Sequence, residues 1–345
     1  MSSFDLEYFD PESLDSIEPK AMVVASESTV ADFALPDYSD IHTAFARFLR
    51  VDVANGDATQ DTIDSYYREV ATWVRWCESK KIEPSSARRY HIEAYREELK
   101  ERGLCVSTRA HKLSIIRRFY ESAVHAGLRK DNPALRVRAG KDLTLPEDKI
   151  RALSERSLAA LVQSLPAHGL AGRRDRAVVA LMAAHGLRRI EIHRLDHESI
   201  RGDLSSSEPG FLTVDGKGHK IRRVHLRPDT WATLSLYIGE KQIAHYPTEG
   251  ALFVGHGNNG RGERLSRVSI NAIVDKYLNA AHLKRIGVSC HALRHTFGTL
   301  AVAGGAKVEH LRDAMGHSKL ETTGIYVKAV EKAKNNPSFY INVEF

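Results

Sequence analysis

The sequence predicts a mainly α-helical protein with one small antiparallel β-sheet, divided into a helical N-terminal domain and a mixed α/β C-terminal domain. Three observations predict it. From Ile41 to about Leu135, apolar residues recur at three- and four-residue steps, the period of one helical face. The stretch FLTVDGKGHKIRRVHL (211–226) instead alternates apolar and polar positions about a Gly-Lys-Gly turn, a hairpin pattern. A length of 345 residues gives room for about two domains, each with its own core.

Residues 1–40 hold ten Asp/Glu and one basic residue, Lys20, with Pro11, Pro19 and Pro36 among them. They read as a flexible acidic tail without a core pattern. Residues 41–135 read as a helical domain. In 59–82, Ile63, Tyr66, Val70, Trp73, Val74 and Cys77 share one face; in 107–128, Leu113, Ile116, Phe119, Tyr120 and Val124 do the same. Ser107 is placed to cap the second helix and Gly127 to end it. The faces left over carry Arg109, His111, Lys112, Arg117 and Arg118. A Pro- and Gly-containing stretch without apolar period follows, giving a basic linker over 136–147 with Arg136, Arg138 and Lys141.

The second domain, 148–330, opens with helices over 155–165 and 174–186, passes through the hairpin, and returns to helices from about Ser266. In the tail 331–345, Phe339, Ile341, Val343 and Phe345 alternate with Tyr340, Asn342 and Glu344, which suits a strand with one apolar face. Pro337 upstream ends the preceding helix. That strand either folds back on its own subunit or adds to a sheet edge of a neighbouring protomer.

Composition narrows the function classes. No apolar run reaches the roughly 18 residues of a membrane span. The acidic N-terminus lacks the basic-then-apolar layout of a secretory signal. Three cysteines, Cys77, Cys105 and Cys290, are too few and too far apart for a disulfide framework or a Cys-rich zinc site. The expectation is a cytoplasmic protein. Net charge is +6, but residues 41–345 hold 49 Lys/Arg against 34 Asp/Glu, a balance of +15. Such a body suits a polyanion, because neutralising phosphates releases counterions. The acidic tail reads first as a solubilising segment, and second as one that competes with DNA or contacts an accessory protein.

Four stretches of the second domain concentrate the chemistry. HGLRRIEIHRL (185–195) ends one helix, turns at Gly186 and begins another near Arg188. VDGKGHK (214–220) puts Lys217 at the hairpin tip. HALRHTFGTLAVAGG (291–305) carries His291 and Arg294 on one helical face. MGHSKLETTGIY supplies His317 and, nine residues later, Tyr326. No clustered carboxylates stand ready for a metal. Two arginine forks can hold the non-bridging oxygens of a phosphodiester and take up charge in its transition state. Lysine or histidine can protonate a departing alkoxide. Tyrosine is a competent oxygen nucleophile where cations assist loss of its proton.

The order Arg, Lys, His-x-x-Arg, His, Tyr resembles that of the tyrosine recombinases, the family of phage integrases and Xer-like proteins. The resemblance spans roughly 41–330, densest over 170–330. It implies a helical core-binding domain and a catalytic domain that grip duplex DNA from opposite sides. It also implies attack by Tyr326 to give a 3′-phosphotyrosyl link, with Arg188 and Arg294 clamping the phosphate. Lys217 would be the general acid, His291 an acid/base near the nucleophile, His317 a phosphate ligand and Glu191 a supporting acid. Neither metal nor nucleotide cofactor is implied, and the partners are double-stranded DNA target sites and further copies of the chain, assembled as a tetramer on two sites. His185 and Met315 stand where the family more often has a small or hydroxyl residue and a leucine. In such a chain Arg109, Lys112, Arg117, Arg118, Arg136, Arg138 and Lys141 become the DNA-binding residues of the helical domain and linker.

Two decoys carry less. Gly255-x-Gly257-x-x-Gly260 lacks the strand-helix-strand setting of a dinucleotide site. His291 and His295 have the spacing of a zinc helix, but no glutamate lies between them and Arg294 would repel the cation. The rival functions are a relaxing type IB topoisomerase and a sequence-specific DNA-binding protein with a retired site. The target sequence and the biological role, integration and excision or dimer resolution, are not readable from the residues.

Overall fold

The computed structural model describes residues 40–216, 220–257, 260–334 and 341. It divides into two compact units with the boundary between Gly140 and Lys141. The mainly helical class with a small antiparallel sheet is what the chain adopts. Among the described residues, no helix is long and apolar enough to cross a membrane.

The first unit is built from α1 (Ile41–Val51), α2 (Gln60–Ser79), α3 (Arg89–Glu101) and α4 (Val106–His125). Asp40 starts it, its carboxylate accepting from the backbone N–H of His42 at 2.6 Å and Thr43 at 2.8 Å. The faces read from periodicity in α2 and α4 turn inward: Trp73 and Cys77 of α2 and Leu113, Phe119 and Tyr120 of α4 meet Phe45 of α1 and Tyr95 of α3 in one core. Burying side chains of this size is worth roughly 1.5–3 kcal/mol each. Their polar ends are satisfied, since Trp73 Nε1 donates to Tyr120 Oη at 3.0 Å, which donates to Pro84 O at 2.9 Å. Ser107 is not the cap of α4. Cys105 takes that position, and Ser107 and Thr108 sit in the first turn with their hydroxyls 3.3 and 3.1 Å from its Sγ.

The second unit is ordered α5 (Glu155–Gln163), α6 (Leu170–His185), α7 (Arg189–Arg194), β1 (Ile200–Arg201), β2 (Phe211–Asp215), β3 (Ile221–His225), α8 (Pro228–Ile243), α9 (Arg267–Ala280), α10 (Cys290–Ala303), α11 (Val308–Met315) and α12 (Leu320–Lys334). α6 lies at the centre, packed against α8, α9 and α10. The sheet runs β1-β2-β3, antiparallel throughout, with Leu212 opposite Val224 and Val214 opposite Arg222. Leu212, Val214 and Val224 point into the core, as alternation requires. Two elements escape the sequence reading. β1 has two residues, too few to show a period. α8 follows the hairpin directly, with Pro228 at its first turn and Trp231, Leu234, Tyr237, Ile238 and Lys241 buried at helical spacing. In the glycine-rich region, isolated bridges join Val254 to Arg264 and Gly255 to Arg261 just before α9.

Candidate active site

Sharp turns, each closed by a glycine, bring the site's residues together. α6 ends at Gly186, whose φ of +66° is strained for any residue with a Cβ. A Cβ there would also lie 2.4 Å from the Phe297 ring, so Gly186 answers two demands. The turn sets Arg188 at the start of α7, where its backbone N–H donates to Glu191 Oε2 at 2.8 Å and its Nη1 to Oε1 at 2.8 Å. Arg188 Nη2 reaches Gly316 O at 3.3 Å, in the turn that closes α11.

Glu191 is 2% exposed and has a second cationic partner, Arg222 of β3. Arg222 donates Nη1 to Oε1 at 2.9 Å and Nη2 to Oε2 at 2.8 Å, and its Nε to Ala314 O at 3.0 Å. Burial alone would raise this carboxyl, but Arg222 and Arg188 outweigh it and hold Glu191 below the ordinary carboxylate value. Arg222 escaped the sequence reading. It stands among Arg222, Arg223 and Arg227 in the same stretch, and only the buried carboxylate it faces distinguishes it.

α10 brings His291, Arg294 and His295 to one side. Arg294 is 2% exposed and donates to Gly186 O, to Met315 O at 2.5 Å and to His317 Nε2 at 3.0 Å. Burial and then repulsion from Arg188 lower it to about 10, which still leaves it charged at neutral pH. A guanidinium only donates, so His317 Nε2 accepts, and its proton sits on Nδ1, 2.9 Å from Thr323 Oγ1. Burial, Arg294, Arg188 and Arg222 push His317 down to about 4, consistent with that neutral ring.

Tyr326 of α12 is 2% exposed, in a small apolar cluster with Leu311 and Met315. Its ring lies so close to α10 that a Cβ at Gly298 would meet it at 2.8 Å. Burial raises its phenol, while Arg294 and Arg188 pull the other way. The side chain on its hydroxyl is not His291 but His295, whose Nδ1 is 3.0 Å from Oη. His291 stands exposed at the rim, its ring 5.0 Å from that of His295 and perpendicular to it. A cavity of about 300 Å³ opens beside these groups, lined by Arg188, His291 and Arg294 and also by Arg189, Arg267 and Asn271.

The structure thus gathers Arg188, Glu191, His291, Arg294, His317 and Tyr326. Lys217 lies outside the described residues, but the base of its turn does not: Gly216 N donates to Lys220 O at 3.1 Å, and a Cβ on Gly216 would be 3.9 Å from Glu191 Oε1. The acidic residues 1–39 and the C-terminal alternation, apart from Ile341, also lie outside. Of the basic residues singled out in the first unit, Arg117 donates to Ala134 O at 3.4 Å and Val137 O at 3.2 Å, pinning the start of the following segment. Lys112 pairs with Glu69, Arg118 with Glu121 at 2.9 Å, and Arg109 is buried. Arg136, Arg138 and Lys141 are exposed.

Residues 151–333 match the phage integrase family, and residues 45–129 match the phage integrase N-terminal SAM-like domain. Tyrosine recombinase XerC of Pelotomaculum thermopropionicum is 31% identical over 295 residues, covering 82% of this chain and 91% of the relative. Tyrosine recombinase XerD of Caulobacter vibrioides is 31% identical over 284 residues, covering 81% and 89%. In fold, the chain is similar to XerH site-specific recombinase bound to a palindromic difH substrate, with a TM-score of 0.63 and 18% identity over 85% of each chain. It is also similar to a lambda integrase dimer bound to a COC′ core site, with a TM-score of 0.60 and 16% identity over 81% of this chain and 96% of the other. Fold and relatives together define a DNA strand-transferring enzyme of the site-specific recombinase class. The chain belongs to the phage integrase family, the tyrosine recombinases.

Proposed function

We propose that the enzyme cleaves and rejoins duplex DNA at specific sites through a 3′-phosphotyrosyl link to Tyr326. The observation that carries the reading is that Arg188 and Arg294 line one open cavity and both also act electrostatically on the phenol of the buried Tyr326. A phosphate seated there meets two guanidinium groups, which hold the non-bridging oxygens and stabilise the added charge of the transition state. His291 lines the same cavity and His317 lies 3.0 Å from Arg294, so both are placed to contact the phosphate, and Glu191 with Arg222 fixes the aim of Arg188. Lys217, the residue after Gly216, protonates the departing 5′-oxygen. The basic surface of the helical unit and the exposed Arg136, Arg138 and Lys141 hold the flanking duplex. Four copies assemble on two sites. The role is integration and excision of a mobile element, or resolution of chromosome or plasmid dimers.

The test is to sequence DNA junctions formed in cells carrying this gene and its flanking DNA. A nicked suicide duplex built on a recovered junction then traps the covalent adduct. Wild type is expected to form it. Tyr326→Phe is expected to bind the duplex within about twofold of wild type and form none, because only the nucleophilic oxygen is lost. Cleavage by the Phe variant would move the nucleophile elsewhere. Relaxation of supercoiled plasmid without junctions would favour topoisomerase action.

A further inference from the structure

We propose that His295 is a further catalytic residue, its Nδ1 taking the phenolic proton of Tyr326 as the tyrosine attacks phosphorus. The inference rests on the strand-transfer reading above. Its ground is geometric: among the described side chains, the one in hydrogen-bond contact with Tyr326 Oη is His295, at 3.0 Å. His291, the residue expected near the nucleophile, lies one helical turn away, in ring contact with His295 rather than with Tyr326.

The step balances as follows. The Oη–P bond forms while the Oη–H bond breaks, its proton going to Nδ1. The bond from phosphorus to the 5′-oxygen breaks, and that oxygen takes a proton from a separate acid, for which Lys217 is proposed. Rejoining runs the same path backward, with His295 returning the proton to Oη. To accept, the neutral imidazole must carry its own proton on Nε2, which places that proton on the side away from Tyr326. Tyr326 is 2% exposed, so bulk water is a poor competitor for the proton while the ring is in this position.

The surroundings of His295 also tie this role to a seated substrate. Burial, then His291 and Arg294, push it down to about 4, while Tyr326 and His317 complete the titratable groups around it. It is therefore neutral and able to accept at pH 7, but a weak base for a phenol. Of the two neighbours that weaken it by charge, His291 and then Arg294, the arginine is one a bound phosphodiester neutralises. As the phosphate seats, repulsion on an incoming proton falls and the base strengthens where attack takes place. Without phosphate the tyrosine keeps its proton. A competing role is mechanical, with the same contact merely holding the tyrosine in place.

The experiment measures the rate of adduct formation by the full chain on the nicked suicide duplex, from about pH 6 to pH 9. His295→Ala is expected to slow it roughly 100-fold at pH 7, within the usual range for a lost general base, with DNA affinity unchanged. Its residual rate should climb about tenfold per pH unit as hydroxide takes over, and added imidazole should restore at least about tenfold. His295→Gln can accept a hydrogen bond but no proton, so it should be as slow as the Ala variant. Thermal melting of both variants separates chemistry from folding, and the Gln variant decides if the Ala variant does not fold. An Ala variant as fast as wild type or faster, a Gln variant at the wild-type rate, or a folded Ala variant insensitive to imidazole would each overturn the proposal. Those outcomes leave the strand-transfer reading standing, because wild type still forms its adduct through Tyr326. Failure of wild type to form any adduct sinks that reading and this inference together.

Discussion

Glu191 is bound by two arginines that do different work. Arg222 spends both terminal nitrogens on it in a side-by-side pair, while Arg188 gives it one and turns the other toward Gly316. Because Arg222 occupies both carboxylate oxygens, Glu191 orients Arg188 without capturing its whole fork. Removing Arg222 leaves a buried carboxylate with Arg188 as its remaining cationic partner among the described contacts. Arg222→Met is therefore expected to slow adduct formation on the order of 10–100-fold and to lower stability by about 3–5 kcal/mol, the cost of breaking a buried ion pair from one side. Adding Glu191→Gln in the same chain removes the stranded charge. The double variant should melt above the single Arg222→Met variant, a coupling that additive effects cannot give. Equal melting temperatures for the two would show that the pair is not coupled.

At the scale of elements, α10 supplies His291, Arg294 and His295 from one helix, while Gly216, just after β2, lies beside Glu191. In the proposed mechanism the hairpin makes a separable contribution, proton delivery to the leaving oxygen by Lys217. Lys217→Ala should slow cleavage by about 100-fold or more, and a duplex with sulfur at the 5′-bridging position should recover most of that loss. Sulfur leaves as a thiolate and needs no proton. Equal slowing on both substrates would remove Lys217 from the acid role. Much of this arrangement was legible in the sequence because it is local: His291 and Arg294 are three residues apart, and Gly186 announces the turn before Arg188. The buried faces of α2 and α4 were legible for the same reason. What stayed hidden depends on packing between elements far apart in the chain. Nothing in His-x-x-Arg-His says which histidine meets Tyr326, since both lie within reach of one side of the helix and the choice follows from where α12 docks. Arg222 was hidden among neighbouring arginines because its partner lies 31 residues earlier.

At the scale of the whole molecule, charge and acid sensitivity follow from how the cations are distributed. Ten acids in residues 1–40 face a balance of +15 in the rest. Deleting 1–39, which keeps the Asp40 cap of α1, should leave adduct formation intact and the dependence of DNA affinity on salt unchanged, as for a solubilising tail. A rise in affinity confined to low salt would mean that the tail competes with DNA. Burial, helped by nearby cations, also holds four histidines of the second unit neutral. His185, His256, His295 and His317 are each pushed down to about 4, burial being the largest cause. For a base with a lowered folded value, the unfolded chain binds more protons between about pH 4 and 6.5. Stability in that window therefore rises with pH, and it is lost as pH falls from 6.5 toward 4. His185 gives the clearest case. It is 6% exposed, its Nε2 has no hydrogen-bond partner, and burial with Arg227 outweighs the favourable pull of Asp229 and the His225 backbone on a proton there. The change from 6.5 to about 4 corresponds to on the order of 3 kcal/mol at pH 7, of which about 2 kcal/mol is already gone at pH 5. His185→Gln removes the titration while keeping a side chain of similar bulk. On going from pH 7 to pH 5, wild type should lose about 4–8 °C more in melting temperature than this variant. If the two lose the same amount, His185 is not a source of the acid sensitivity.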